Sequence, residues 1–149
     1  MTILIETTGT VVNIVETSPP KGEKGDQGEP GLAGHVNDEY PAGEILSGHR
    51  IVIVQNDQVF YADNSIAGHA FQVFGMTTGA VLQGAYPIIQ TYGVIEEPSW
   101  NWDTSLPIWL GSNGLLQKTP PSSGFSLIIG FPVSPTSMFI NIREPIFLI

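Results

Sequence analysis

Apolar residues in the second half of this 149-residue chain fall in short runs separated by polar and turn-forming positions. Ile51-Val52-Ile53-Val54 and Val59-Phe60-Tyr61 flank Gln55-Asn56-Asp57-Gln58, a pattern that predicts a β-hairpin with Asn-Asp at its turn. Further strands are predicted at 71–76, 86–95, 125–133 and 137–142, and 108–110 is predicted to pair with 115–118 across Gly111-Ser112-Asn113-Gly114. No window sustains the apolar period of a helix. Gly and Pro recur every eight to twelve residues or so, the spacing expected of a compact all-β sandwich or barrel. Residues 2–16 are rich in β-branched side chains and interrupted by Gly9, so they read as two short strands or extended arms.

Between these regions the pattern changes character. Glycine occupies every third position from Gly22 through Gly25, Gly28 and Gly31 to Gly34, with Pro30 at a Y position and no glycine out of phase. Collagen requires this register, because three polyproline-II chains wind together only where the residue at their shared axis has no side chain. A single chain of this kind therefore predicts a homotrimer. Lys21-Gly22-Glu23 and Lys24-Gly25-Asp26 place a cation before and an anion after each glycine, an arrangement that allows pairing between staggered strands. The competing reading is a flexible Gly/Pro-rich linker. So short a tract buries almost no apolar surface, and ordering costs about 1–2 kcal/mol per residue, so a trimeric neighbour must hold the strands first. Such a neighbour would supply an effective concentration on the order of millimolar. The expected organisation is an N-terminal arm at 1–20, a collagen-like stalk at 21–34, a connector at 35–44 and a C-terminal β head at 45–149.

Composition narrows the function. With Lys+Arg 5 against Asp+Glu 14, the formal net charge is -9, and no cluster of cations exists to meet phosphates, so nucleic acid is not an expected partner. There is no cysteine, which excludes disulfides, thiolate metal sites and Cys nucleophiles. The N-terminus meets Glu6 before any long apolar run, and no stretch is long enough to span a bilayer. A soluble protein made in the cytoplasm, with no membrane partner, is expected. Hydrophobic residues reach 42% against 13% charged, more apolar material than a small monomeric core needs, and the end Pro145-Ile146-Phe147-Leu148-Ile149 is expected to pack on a neighbouring subunit.

The densest chemical constellation is Glu96-Glu97-Pro98-Ser99-Trp100-Asn101-Trp102-Asp103. Trp100 and Trp102 could stack on a sugar face while Asn101, Asp103 and the glutamates bind its hydroxyls. The simpler reading makes the indoles core or interface anchors. Glycoside hydrolysis needs two facing carboxyls; adjacent Glu96 and Glu97 would point to opposite faces of a strand, though Asp103 could pair with either one. His35, His49 and His69 each follow a glycine, but no ligand spacing supports a metal. No nucleophile motif or phosphate loop is present, so neither an enzyme nor a cofactor is expected.

An acidic β-rich N-terminal segment, a brief Gly-X-Y tract and a cysteine-free β domain together resemble small fibre or appendage proteins of tailed bacteriophages. Leu46-Ser47-Gly48-His49-Arg50, Gly75-Met76-Thr77-Thr78-Gly79-Ala80, Glu97-Pro98-Ser99-Trp100-Asn101-Trp102 and Gly130-Phe131-Pro132-Val133-Ser134 carry the likeness, loosely over residues 45–149. The resemblance implies a virion location, an anchor at 1–20 on another virion protein, a stalk and a distal trimeric head. Two roles follow from it: a structural short fibre or decoration protein on capsid or tail, or a tail fibre that recognises a host surface polysaccharide.

Overall fold

The computed structural model describes residues 3–7, 10–14, 34–36 and 39–149. Gly22, Gly25, Gly28 and Gly31 lie outside the described residues, as does half of the 1–20 arm. The chain divides into two units, Met1–Pro30 and Gly31–Ile149. In the first, β1 (Ile3–Thr7) pairs antiparallel with β2 (Thr10–Ile14), setting Ile5 opposite Val12.

The second unit is all-β. Its first sheet is built from β3 (Gly34–Val36), β4 (Ile51–Gln55), β5 (Gln58–Tyr61), β6 (Val73–Thr77) and β7 (Ile88–Gln90), in the spatial order β3-β7-β6-β4-β5. The second sheet takes β8 (Gly93–Glu96), β9 (Ile108–Leu110), β10 (Leu116–Gln117), β12 (Ile128–Ser134) and β13 (Ser137–Ile140), in the order β10-β9-β12-β13-β8. A two-stranded ladder joins β11 (Phe125–Ser126) to β14 (Ile146–Phe147). Every ladder is antiparallel, so short turns can link neighbours.

Side-chain alternation explains the layering. In β4, Ile51 and Ile53 face a core shared with Ile95, Ile108, Leu110, Ile129, Met138 and Ile140 of the second sheet. Val52, between them, points the other way into a smaller cluster with Ala42, Leu46, Val59 and Ile89. All three are fully buried, because the strand is covered on both faces. That is why 51–54 reads as a continuous apolar run and not as an alternating one. The second sheet alternates: in β8, Gly93 and Ile95 are buried while Val94 and Glu96 are exposed.

The structure revises two expectations. The segment 86–95 is two strands in different sheets, because Gly93 adopts φ +95, a left-handed conformation open to glycine, and turns the chain from β7 into β8. The Gln90 amide spans that corner, donating from Nε2 to the carbonyls of Tyr92 (3.1 Å) and Val94 (3.0 Å). The head also begins earlier than 45. Gly34, assigned to the stalk, and His35, assigned to the connector, lie in β3, which pairs with β7 and satisfies its backbone groups. Ala42, another connector residue, is fully buried and bridges to Val59. The C-terminal apolar residues also have neighbours within the chain: Phe147 pairs with Phe125, and its ring lies 6.1 Å from that of Phe71. Ile146, Phe147 and Ile149 nevertheless stay exposed.

Candidate functional site

Two turns distant in sequence, at 47–50 and 97–100, meet to form the site. The first is Ser47-Gly48-His49-Arg50, leading into β4. Gly48 packs on Gly79, where an added Cβ would stand 3.1 Å from the Gly79 Cα. His49 takes φ 57, a left-handed conformation uncommon for a non-glycine residue, and its N–H is fixed on the Thr77 carbonyl at 2.7 Å. Buried Thr77 completes the clamp by donating its hydroxyl to the Ser47 carbonyl (2.7 Å) and accepting the Arg50 N–H (3.1 Å). The Ser47 N–H in turn donates to the Tyr61 hydroxyl at 2.7 Å, and the Arg50 guanidinium lies over the Tyr61 ring, 5.3 Å from its centroid.

The second turn follows β8. In Glu97-Pro98-Ser99-Trp100 the Trp100 N–H returns to the Glu97 carbonyl at 3.0 Å, a four-residue turn with proline at the second position, where its fixed φ fits. Glu97 Oε1 accepts the Ser99 N–H at 3.0 Å. That N–H, the Ser99 hydroxyl and then the His49 imidazole hold the Glu97 carboxyl below its ordinary range, against a smaller opposing push from burial. Glu97 is thus an ionised acceptor at neutral pH.

Where the turns meet, His49 Nδ1 lies 3.4 Å from Glu97 Oε2. The His49 ring stands edge-on to Trp100 at 5.3 Å, and Trp100 lies 5.4 Å from Trp102, tilted by 54°. Trp102 belongs to the core, with 7% of its surface exposed, while Trp100 is half-buried against it. These groups line a cleft of about 370 Å³ together with Arg50, Ser99, Leu115 and Leu116. Trp102 Nε1 is buried without a hydrogen-bond partner among the described residues.

The constellation anticipated from sequence is therefore only half assembled. Trp100 and Trp102 come together, but Asn101 and Asp103 are exposed and do not line the cleft. Asp103 is occupied with its own turn: the Ser105 hydroxyl (2.6 Å) and N–H (2.9 Å) donate to Oδ1 and lower its pKa. His49 and Arg50 take their place beside Glu97. No local spacing announces that meeting, because it depends on the strand order. His69 lies elsewhere, accepting the Asp63 N–H at Nδ1 (3.0 Å), and His35 is in β3. No group of three or more His, Asp or Glu suited to a metal exists among the described residues.

A larger depression of about 410 Å³ lies between Phe71, Val73, Ile142 and Arg143. There the Arg143 guanidinium lies over the Phe131 ring, 5.5 Å from its centroid. Comparison of the sequence with models of known protein families, and with curated proteins one by one, gives no match.

Proposed function

We propose that the chain is a structural appendage of a tailed-phage virion, a homotrimeric short fibre or decoration protein that displays a β head from an N-terminal anchor. In this reading residues 1–20 dock on another virion protein, and the Gly-X-Y tract from Gly22 to Gly31 forms a stalk ahead of β3.

The observation that carries the reading is a band of apolar side chains on the outer face of the second sheet. Val94 of β8, Phe139 of β13 and Phe131 of β12 are direct cross-strand neighbours on one face. Val94 is 49% exposed and Val133, two residues beyond Phe131, is 58% exposed. Tyr92 extends the band, its ring 4.9 Å from that of Phe139. Edge strand β8 borders it. Burying a Phe or Val is worth about 1.5–3 kcal/mol, so such a band favours association over solvation. The three-copy requirement of Gly-X-Y chemistry supports a trimer as the assembly that covers it.

Sedimentation equilibrium of the full chain tests assembly, with three times the 16.0 kDa chain mass expected. Phe131→Glu combined with Val94→Lys should lower that mass. Antibody labelling of purified phage particles tests location: decoration of capsid, neck or tail supports the reading. A wild-type monomer at micromolar concentration overturns the trimer, and particles lacking the chain overturn the virion role.

A further inference from the structure

We infer that the cleft between the Ser47–Arg50 turn and the Glu97–Trp102 segment is a binding site for a neutral pyranose sugar. The inference stands on the geometry of one chain and does not depend on the virion reading.

The cleft is built before any ligand arrives. His49 is held in a left-handed conformation by the Thr77 carbonyl, and Glu97 is held by the Ser99 N–H. Non-glycine residues keep such backbone strain only where their surroundings fix it, and sites that bind ligands are where it clusters. Trp100 lies 5.3 Å from the His49 ring and 5.4 Å from Trp102, contacts that fix an aromatic surface at the cleft while Trp100 stays only half-buried. Aromatic rings beside a few directed polar groups are the arrangement that recognises sugars, whose rings are apolar on one face and hydroxylated at the rim.

The polar groups choose among ligands. Glu97 accepts hydrogen bonds, Arg50 donates, and His49 can do either, a mixture that suits hydroxyls because each hydroxyl both donates and accepts. An anionic ligand would face the Glu97 carboxylate in a chain of net charge -9. A cation would face Arg50. A neutral polyol meets neither opposition. The volume of about 370 Å³ falls in the range of small-ligand sites, roughly 300–1,000 Å³.

The test is a heteronuclear NMR titration of the full chain with D-glucose, D-galactose, D-mannose and N-acetyl-D-glucosamine, following the three indole N–H signals. Saturable shifts of the Trp100 and Trp102 signals with at least one sugar are expected, with half-saturation on the order of a millimolar, while Trp109, away from the cleft, stays still. Trp100→Ala should abolish the shift, and Glu97→Gln should weaken binding about tenfold with an unchanged melting temperature. No saturable indole shift with any of the four sugars overturns the site. So does a shift that Glu97→Gln leaves at wild-type strength, a readout that survives even if Trp100→Ala fails to fold. Chain mass is measured separately, so a failure here leaves the assembly reading standing.

Discussion

The Thr77 hydroxyl donates to the Ser47 carbonyl at 2.7 Å, one of the contacts through which the first sheet positions the turn that carries His49. Thr77→Val keeps the branched shape but removes both this donor and the acceptor of the Arg50 N–H. The expected loss is about 1–3 kcal/mol, the cost of leaving backbone groups without partners. Urea denaturation measures it, and Thr77→Ser, which retains the hydroxyl, should recover part of the loss. A Thr77→Val midpoint equal to wild type would mean the hydroxyl does not hold the turn.

The β4–β5 hairpin offers a prediction of opposite sign. Asn56 and Asp57 have φ 51 and 59, the paired left-handed geometry of a type I′ turn. Glycine adopts that geometry without penalty at the second position, so Asp57→Gly should stabilise the head by about 0.5–1 kcal/mol. Thermal unfolding reads this as a higher midpoint. A lower midpoint would show that the Asp57 side chain contributes more than its backbone strain costs.

This hairpin also marks how far the sequence could be read. Its turn is a local matter, settled by Asn-Asp between two apolar runs, and so are the β9–β10 ladder across Gly111–Gly114 and the all-β class. The division of 86–95 between two sheets was not legible, because it rests on one glycine's φ and on which sheet each half joins. The same holds for the site. Glu97, Trp100 and Trp102 stand close in sequence, and their clustering was visible. His49 and Arg50 reach them only because the strand order brings two distant turns together, and strand order is a property of long-range packing. Asn101 and Asp103 shared the local signal but turn outward between the anchored positions.

His69 makes the stability of the head depend on pH. Burial lowers its pKa from the ordinary 6.5, and the nearby Asp63 carboxylate opposes that shift without cancelling it. The structure uses the neutral ring, whose Nδ1 accepts the Asp63 N–H. The unfolded chain therefore binds the proton more readily than the folded one. The contribution is fully present above 6.5 and is lost as pH falls through the depressed folded value. Asp63 adds a lower window. Burial alone would raise its pKa, but the Ser65 hydroxyl and N–H, the Asn113 N–H and His69 together lower it, so its contribution is present above 3.8 and fades below. Urea midpoints of wild type and His69→Gln between about pH 7.5 and 5 should diverge, wild type losing more on acidification. Parallel curves would remove His69 as the source.

Trp102 and Trp100, two residues apart, should respond differently to truncation because they occupy different depths. Trp102 is 7% exposed and packs in the core with Ile95, Ile108 and Met138, so Trp102→Ala should cost about 3–5 kcal/mol. Trp100 is half-buried, and Trp100→Ala should cost less than half as much. Trp102→Phe separates packing from polarity. It removes part of the ring, which destabilises, but it also removes an indole N–H that has no partner among the described residues, which relieves a penalty of about 1–3 kcal/mol. The two effects oppose each other, so the net cost should fall below about 1.5 kcal/mol, well short of that for alanine. Chemical denaturation of the three variants checks the order. If Trp102→Phe is as damaging as Trp102→Ala, removing the Nε1 proton relieves no penalty in the folded protein.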